Sequence, residues 1–399
     1  LIEPLIRTSS TYSKVGDSSL TSQPHWTNVI SMTADLEPQR TSLDVEEIRS
    51  QLITWLQGKV SDGNAMISDF RRPSGSGMSS ETLLFSATWE TEQGQQHSNL
   101  VARLAPTDQD IPVFPSYNLS LQVEAMRLVE TQTKIPVPRT LWLEEATNVL
   151  GVPFFVMEQI IGRVPADIPP YVFGGWLLDA EKEERSALER SAVNIIAEIS
   201  QINLSEIDTS FLEFETTGET PLERHFSNQM NYYSWVVGDQ RQHPVIEAAT
   251  VWLKNNWPDE SETVLSWGDA RIGNIMFGMN TFQPTAVLDW EMAGLAPVEV
   301  DLGWMIFLHK FFQNIAEEFE FDGMPQFMNS EKVSTYFTEI TGKIPEDLLW
   351  FEIYAGMRHA IIMSRINDRS VHFGEAEWTD DVDSAIPHRN LLWSMMSGS

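Results

Sequence analysis

Two short segments carry residue types that do chemistry, at a spacing that brings them together. The first, Ser266-Trp-Gly-Asp-Ala-Arg-Ile-Gly-Asn-Ile-Met-Phe277, places Asp269, Arg271 and Asn274 in a tight glycine-bearing loop ahead of a short apolar run. The second, Ala286-Val-Leu-Asp-Trp-Glu291, reads as a strand ending at Asp289. Gly278, Asn280 and Pro284 between them mark a hairpin connection. Pairing the two strands returns Asp289 to the end that holds Asp269 and Asn274. A carboxylate, an amide oxygen and a second carboxylate then converge beside a cation. That set suits phosphoryl transfer, which needs a base for a hydroxyl, oxygen ligands for Mg²⁺ and positive charge for the moving phosphate. Turn-forming Gly-Asp or Asp-Trp explains either half alone, but independent turns need not respect this order.

Asp269-x-x-x-x-Asn274 has the spacing of a kinase catalytic loop, and Asp289 follows where a kinase metal-binding Asp would. The wording Trp-Gly-Asp-Ala-Arg-Ile-Gly-Asn, followed by Leu-Asp-Trp-Glu, resembles the aminoglycoside phosphotransferase family of the protein kinase-like superfamily. The resemblance spans Leu43 to Ile366 and is strongest over Val264–Trp304. It implies an α+β, two-lobed protein kinase-like fold, with a small antiparallel-sheet N-lobe and a mainly helical C-lobe. Residues 1–42 would be a flexible extension, 43–158 the nucleotide-binding N-lobe, and 159–399 the C-lobe with catalytic loop and acceptor site. By the same resemblance Asp269 takes or orients the hydroxyl proton, and Asn274 and Asp289 hold Mg²⁺. Arg271 offsets charge at the γ-phosphate. The donor would be ATP, with GTP as the alternative, and the acceptor a hydroxyl of a small molecule. The rival reading is a nucleotide-binding kinase-like protein with little or no turnover.

The elements that must position these groups are legible in order. Val45, Ile48, Leu52, Ile53, Trp55 and Leu56 repeat with helical period behind Ser42 or Asp44 as cap. Ile67–Arg72, Pro73-Ser-Gly-Ser-Gly-Met-Ser-Ser-Glu81 and Thr82–Trp89 read as strand, glycine-rich turn and strand. Backbone amides and the hydroxyls of Ser79 and Ser80 are candidate phosphate contacts there. No Gly-Lys-Ser/Thr occurs, so this is not a Walker loop. Asn99–Leu104 is a third strand. Arg103 stands where many relatives have Lys, and its fork can supply the charge that grips the phosphates. The helix near Leu119–Thr131 offers Glu124 as the expected partner of Arg103. Gly151–Ile160 is a further strand, and Met157, Glu158 and Ile160 lie in the expected inter-lobe linker, whose main chain would read adenine.

Beyond it, helices are expected over Ala180–Ile202, Pro221–Gly238, Pro244–Asn256, Leu302–Phe312, Val333–Ile340 and Leu348–Arg365. Asp301 is expected to tether the catalytic loop rather than to do chemistry. Trp267 stands where the family often has His, and is expected to replace it by packing. Residues 371–399 read as an acidic, loop-rich tail whose Trp378, Trp393 and Met395 pack on the large lobe.

Composition narrows the function classes. With 26 Lys and Arg against 57 Asp and Glu, the net charge of −31 argues against nucleic acid or an anionic membrane as partner. The chain has no cysteine, which removes disulfides, thiolate metal sites and cysteine nucleophiles. No apolar run reaches membrane-span length, and no basic start precedes an apolar block, so a cytoplasmic protein is expected, with Met32 as a plausible start. The acidic runs Glu317–Asp322 and Glu375–Asp383 favour a neutral or cationic acceptor. Nothing in the sequence sets an oligomeric state.

Overall fold

The computed structural model describes residues 44–60, 64–73, 79–92, 94–239 and 242–398. The expected extension, the Met32 start, the Ser42 cap and residues 74–78 of the glycine-rich turn lie outside them.

Helix α1 (Val45–Lys59) starts where the Asp44 carboxylate accepts from the amides of Glu46 and Glu47, both at 2.9 Å. It buries Ile48, Leu52, Trp55 and Leu56. Strands β1 (Ala65–Arg71), β2 (Glu81–Thr91) and β3 (Gly94–Leu104) form an antiparallel meander. After helix α2 (Leu119–Gln132), strands β4 (Thr140–Glu144) and β5 (Phe154–Glu158) complete a five-stranded sheet in the order β1-β2-β3-β5-β4. The centre of the sheet is β3, where Arg103 pairs across to Phe155 and Thr82. α2, capped by Asn118, buries Gln122, Val123, Ala125, Met126, Leu128 and Val129 against the sheet.

The chain then becomes mainly helical. In order come α3 (Lys182–Ser200), α4 (Pro221–Val237), α5 (Pro244–Asn255), α6 (Glu299–Glu318), α7 (Ser330–Thr341), α8 (Leu348–His372) and α9 (Arg389–Ser397). Between α5 and α6 lie two small antiparallel pairs, β6 (Thr263–Ser266) with β9 (Gly294–Pro297) and β7 (Ile275–Phe277) with β8 (Pro284–Val287). α6 and α8 pack closely because Gly303 meets Phe351, and a Cβ there would lie 2.6 Å from its carbonyl carbon.

Two expectations need correction. α6 and α8 each outrun their predicted spans, and the loop-rich tail carries α9 near its end. Met395 packs on the core as expected, whereas Trp378 and Trp393 are 59% and 46% exposed. Among the described residues no helix is long and apolar enough to cross a membrane.

Candidate active site

The loop after β6 turns at Gly268, where φ is +88° and a Cβ would lie 2.0 Å from the Met292 carbonyl oxygen. Only glycine satisfies both conditions. Asp269 follows, and its carboxylate is held from three directions. The Trp304 indole Nε1 donates to Oδ1 at 2.7 Å, Asn274 Nδ2 donates to Oδ2 at 2.6 Å, and Arg271 Nε lies at 3.3 Å. Asn274 Nδ2 also reaches the Asp269 carbonyl at 3.1 Å. Its nitrogen is committed to Asp269, which leaves the amide oxygen as a free-standing acceptor type.

The loop backbone is clamped from α6. The buried Asp301 carboxylate accepts from Ser266 Oγ at 2.8 Å, the Trp267 amide at 2.7 Å and the Gly268 amide at 2.9 Å. That is the tethering role expected of it. Trp267 is fully buried, 5.9 Å from Trp290, and its Nε1 donates to the carbonyls of Leu288 at 2.9 Å and Asp289 at 3.2 Å. It packs, as expected, and also ties the second segment to the first.

The β7–β8 pair returns Asp289 beside this loop, because Ile275 pairs with Val287 and the Leu288 amide donates to the Asn274 carbonyl at 2.9 Å. Asp289 sits at φ 59°, a left-handed conformation that a short polar side chain tolerates. From the other lobe Arg103 Nη2 reaches Asp289 Oδ1 at 2.7 Å. Burial alone would lower the Arg103 pKa, but Asp289 and Glu291 outweigh it and raise it. The expected partner of Arg103 was Glu124, and the structure corrects this. Glu124 is exposed on α2, facing Ser120. The apolar stripe of α2 occupies the sheet-facing positions and turns position 124 outward.

Glu291, which sequence reasoning quoted in its motif without giving it a role, joins the same cluster. Burial, then the neighbouring Asp289 charge, push its carboxyl up to about 8, against Arg103 and a hydrogen bond from Ser79. Its Oε2 is buried with no partner. Ser79 is therefore brought to the cluster from the end of the glycine-rich turn. Ser80 is 7% exposed, with an unpartnered buried Oγ.

Arg271 spans two carboxylates. Besides Asp269 it donates through Nη1 to Asp167 Oδ2, a residue the sequence did not flag. Burial opposes the charge, but Asp167 and Asp269 raise its pKa above the ordinary arginine value. The linker also differs from expectation. Met157 and Glu158 are strand residues, the Glu158 amide donates to Arg139 O at 3.0 Å, and its carboxylate pairs with Arg139 at 2.9 Å on the exposed side. The Gln159 amide is used by Asn99 O at 2.9 Å, so the main chain leaves the sheet at Ile160. Of the predicted acidic runs, Glu317 accepts from Gln313 Nε2 at 3.0 Å. Asp383 accepts from the Val245 amide at 3.0 Å, and Asp381 pairs with Arg389.

A divalent cation fits this donor set. Among the described residues no group of three or more His, Cys, Asp or Glu is arranged to hold a metal alone. Asp289, the Asn274 amide oxygen and the unpartnered Glu291 Oε2 are hard oxygen donors, few in number. Mg²⁺ commonly takes one or two protein carboxylates and completes its shell with waters and substrate phosphates.

The fold and this cluster together have the layout of the kinase-like phosphotransferases. The chain belongs to the phosphotransferase enzyme (APH) family, whose family model matches residues 85–323. A solved structure from Ralstonia eutropha JMP134, classed as an aminoglycoside phosphotransferase, superposes with a TM-score of 0.60 at 19% identity, over 87% of this chain and 96% of that one. The GDP complex of aminoglycoside 2′-phosphotransferase-IIIa gives a TM-score of 0.53 at 11% identity, over 88% and 97%. The fold is thus the two-lobed kinase-like α+β fold expected from the sequence. Among curated proteins, human acyl-CoA dehydrogenase family member 11 is 29% identical over 168 residues, and the Arabidopsis thaliana probable acyl-CoA dehydrogenase IBR3 is 24% identical over 267. Those matches cover 42% and 64% of this chain but only 20% and 30% of the relatives' own length.

Proposed function

We propose that the protein transfers the γ-phosphoryl group of ATP, with GTP as the alternative donor, to a hydroxyl of a small molecule. The observation that carries this is the Asp269 carboxylate held by Asn274, with Asp289 returned beside it on the β7–β8 pair. Residues 43–158 serve as the nucleotide-binding lobe and 159–399 as the lobe that holds the acceptor. Asp269 orients the acceptor hydroxyl and takes its proton as the oxygen bonds to the γ-phosphorus and the bond to the β-phosphate oxygen breaks. Arg103 and Ser79 meet the phosphates, and the main chain from Ile160 meets the base. Asn274 and Asp289 would hold Mg²⁺, which offsets the negative charge of the transferring group. Arg271, fixed between Asp167 and Asp269, adds positive charge beside the base. Catalysis of this kind rests on positioning and electrostatics, so no covalent nucleophile is needed.

A non-turning-over nucleotide-binding protein would share these contacts. ADP release with MgATP, measured over a panel of hydroxyl compounds, separates the two readings. MgATP-dependent stabilisation together with acceptor-dependent ADP release supports transfer. Stabilisation without ADP release in water or with any acceptor overturns it. The panel should include amino sugars, simple alcohols and hydroxyacyl compounds, the last because the curated relatives are named for acyl-CoA chemistry.

A further inference from the structure

One side chain that touches the proposed base stands at the very end of the stretch where the family resemblance is strongest, and the resemblance gave it no role. Trp304 lies three residues after Asp301 on α6, so both project from the same helix face. Asp301 clamps the loop backbone, and Trp304, 2% exposed, donates its only polar hydrogen to Asp269 Oδ1 at 2.7 Å. Behind the indole, the Arg358 guanidinium from α8 lies 4.5 Å from the ring centroid. Arg358 is 1% exposed, its Nη2 donates to the Gly268 carbonyl at 3.2 Å, and its Nε and Nη1 have no hydrogen-bond partner. A buried arginine left so incompletely bonded is not there for its hydrogen bonds alone. Its charge over the indole and its one bond to the loop tie ring and loop together.

The consequence is geometric. A carboxylate offers about four lone-pair positions. Asn274 donates to Oδ2, Trp304 takes one position on Oδ1, and Arg271 Nε straddles the carboxylate at 3.3 Å from both oxygens. That leaves little more than one direction from which a hydroxyl can reach the base. We propose that Trp304 is a positioning residue for phosphoryl transfer: its N–H sets the rotation of the Asp269 carboxylate, and Arg358 holds the indole in place.

This rests on the phosphotransferase reading, and the test keeps the two apart by using water as the acceptor. ADP release from MgATP and the MgATP-dependent rise in melting temperature are measured for the parent and for Trp304→Phe. They are also measured for a chain carrying benzothienylalanine at position 304, which replaces the indole N–H by sulfur in nearly the same outline. The expected result is a KM for ATP and a nucleotide-dependent melting shift within about twofold of the parent. The ADP release rate should fall about 10- to 100-fold, as for a misoriented catalytic group. Should Trp304→Phe fail to fold, the near-isosteric chain decides alone. Unchanged turnover in that chain, or a loss shared equally by KM and rate, overturns the positioning role. A parent that is stabilised by MgATP yet releases no ADP in water or with any acceptor of the panel overturns the phosphotransferase reading, and this proposal with it.

Discussion

At the scale of single residues, Asp269 and Asp289 do different work and should fail differently. Asp269→Asn keeps the shape of the side chain that Trp304 and Asn274 contact, but removes the proton acceptor. MgATP binding should persist while turnover falls on the order of 10²–10⁴-fold, the usual effect of losing a general base. Turnover within a few-fold of the parent would remove Asp269 from that role. Asp289→Ala instead deletes a carboxylate shared by the proposed cation site and Arg103, 2.7 Å away. The stabilisation produced by MgATP should vanish, and a thermal shift equal to the parent's would count against a metal role. The chemistry of these residues was legible because their types and order are tightly constrained. Their partners were not. Glu124 looked right for Arg103 by analogy with a helix carboxylate, but the apolar stripe of α2 turns it to solvent. Asp167 lies 102 residues before Asp269 with no local spacing to tie it to the loop, whereas Trp304 lies only three residues beyond the predicted tether Asp301 and went unassigned.

At the scale of elements, the catalytic loop is a short unit suspended from α6. Hydrophobic period located α1, α2 and α3 well, since each turns one apolar stripe inward, whereas α6 and the first half of α8 are buried at successive positions. Periodicity was silent on how far α6 and α8 run, and at the end of α6 Gln313 is tied to the chain that follows, through the Asp322 carbonyl and the Met324 amide. Asp301, by contrast, was readable as a tether, and it carries a clear energetic expectation. Its carboxylate accepts two backbone amides and one hydroxyl in a buried setting. Asp301→Ala leaves those donors unsatisfied, at about 1–3 kcal/mol for each buried group left without a partner. A fall in melting temperature of several degrees should accompany a loss of turnover, with Asp301→Asn intermediate because one oxygen acceptor survives. Calorimetry showing an unchanged melting temperature for Asp301→Ala would mean the loop is held by something else.

At the scale of the whole molecule, the sequence holds eight histidines, and burial decides how the described ones respond to acid. The structure gives five of them, His225, His243, His309, His359 and His388, pKa values below the ordinary one, each chiefly through burial. His309 and His388 are pushed down to about 4. Hydrogen bonding says the same: His309 Nε2 donates to the Met324 carbonyl at 3.0 Å, so Nδ1 accepts from the Tyr171 hydroxyl at 2.8 Å. His388 Nε2 likewise donates to the Gly356 carbonyl at 2.9 Å, leaving its Nδ1 against His359 Nδ1 at 3.4 Å, where a second proton would oppose the first. A histidine whose folded pKa is depressed favours the folded state fully above its unfolded value of about 6.5, and that contribution is lost as pH falls toward the folded value. For one residue moving from about 6.5 to about 4, the loss on reaching pH 4 is about 3 kcal/mol. Glu81, Glu291, Asp301 and Asp368 have raised values and act in the opposite sense, so total stability against pH mixes the two. The separating measurement is the imidazole resonances themselves, assigned with His309→Asn and His388→Asn. Both should hold their neutral shifts from pH 8 down to about pH 5, and each variant should lose less melting temperature than the parent between pH 6.5 and 5. Midpoints near 6.5 for either imidazole in the folded protein would mean that these rings are not buried as described.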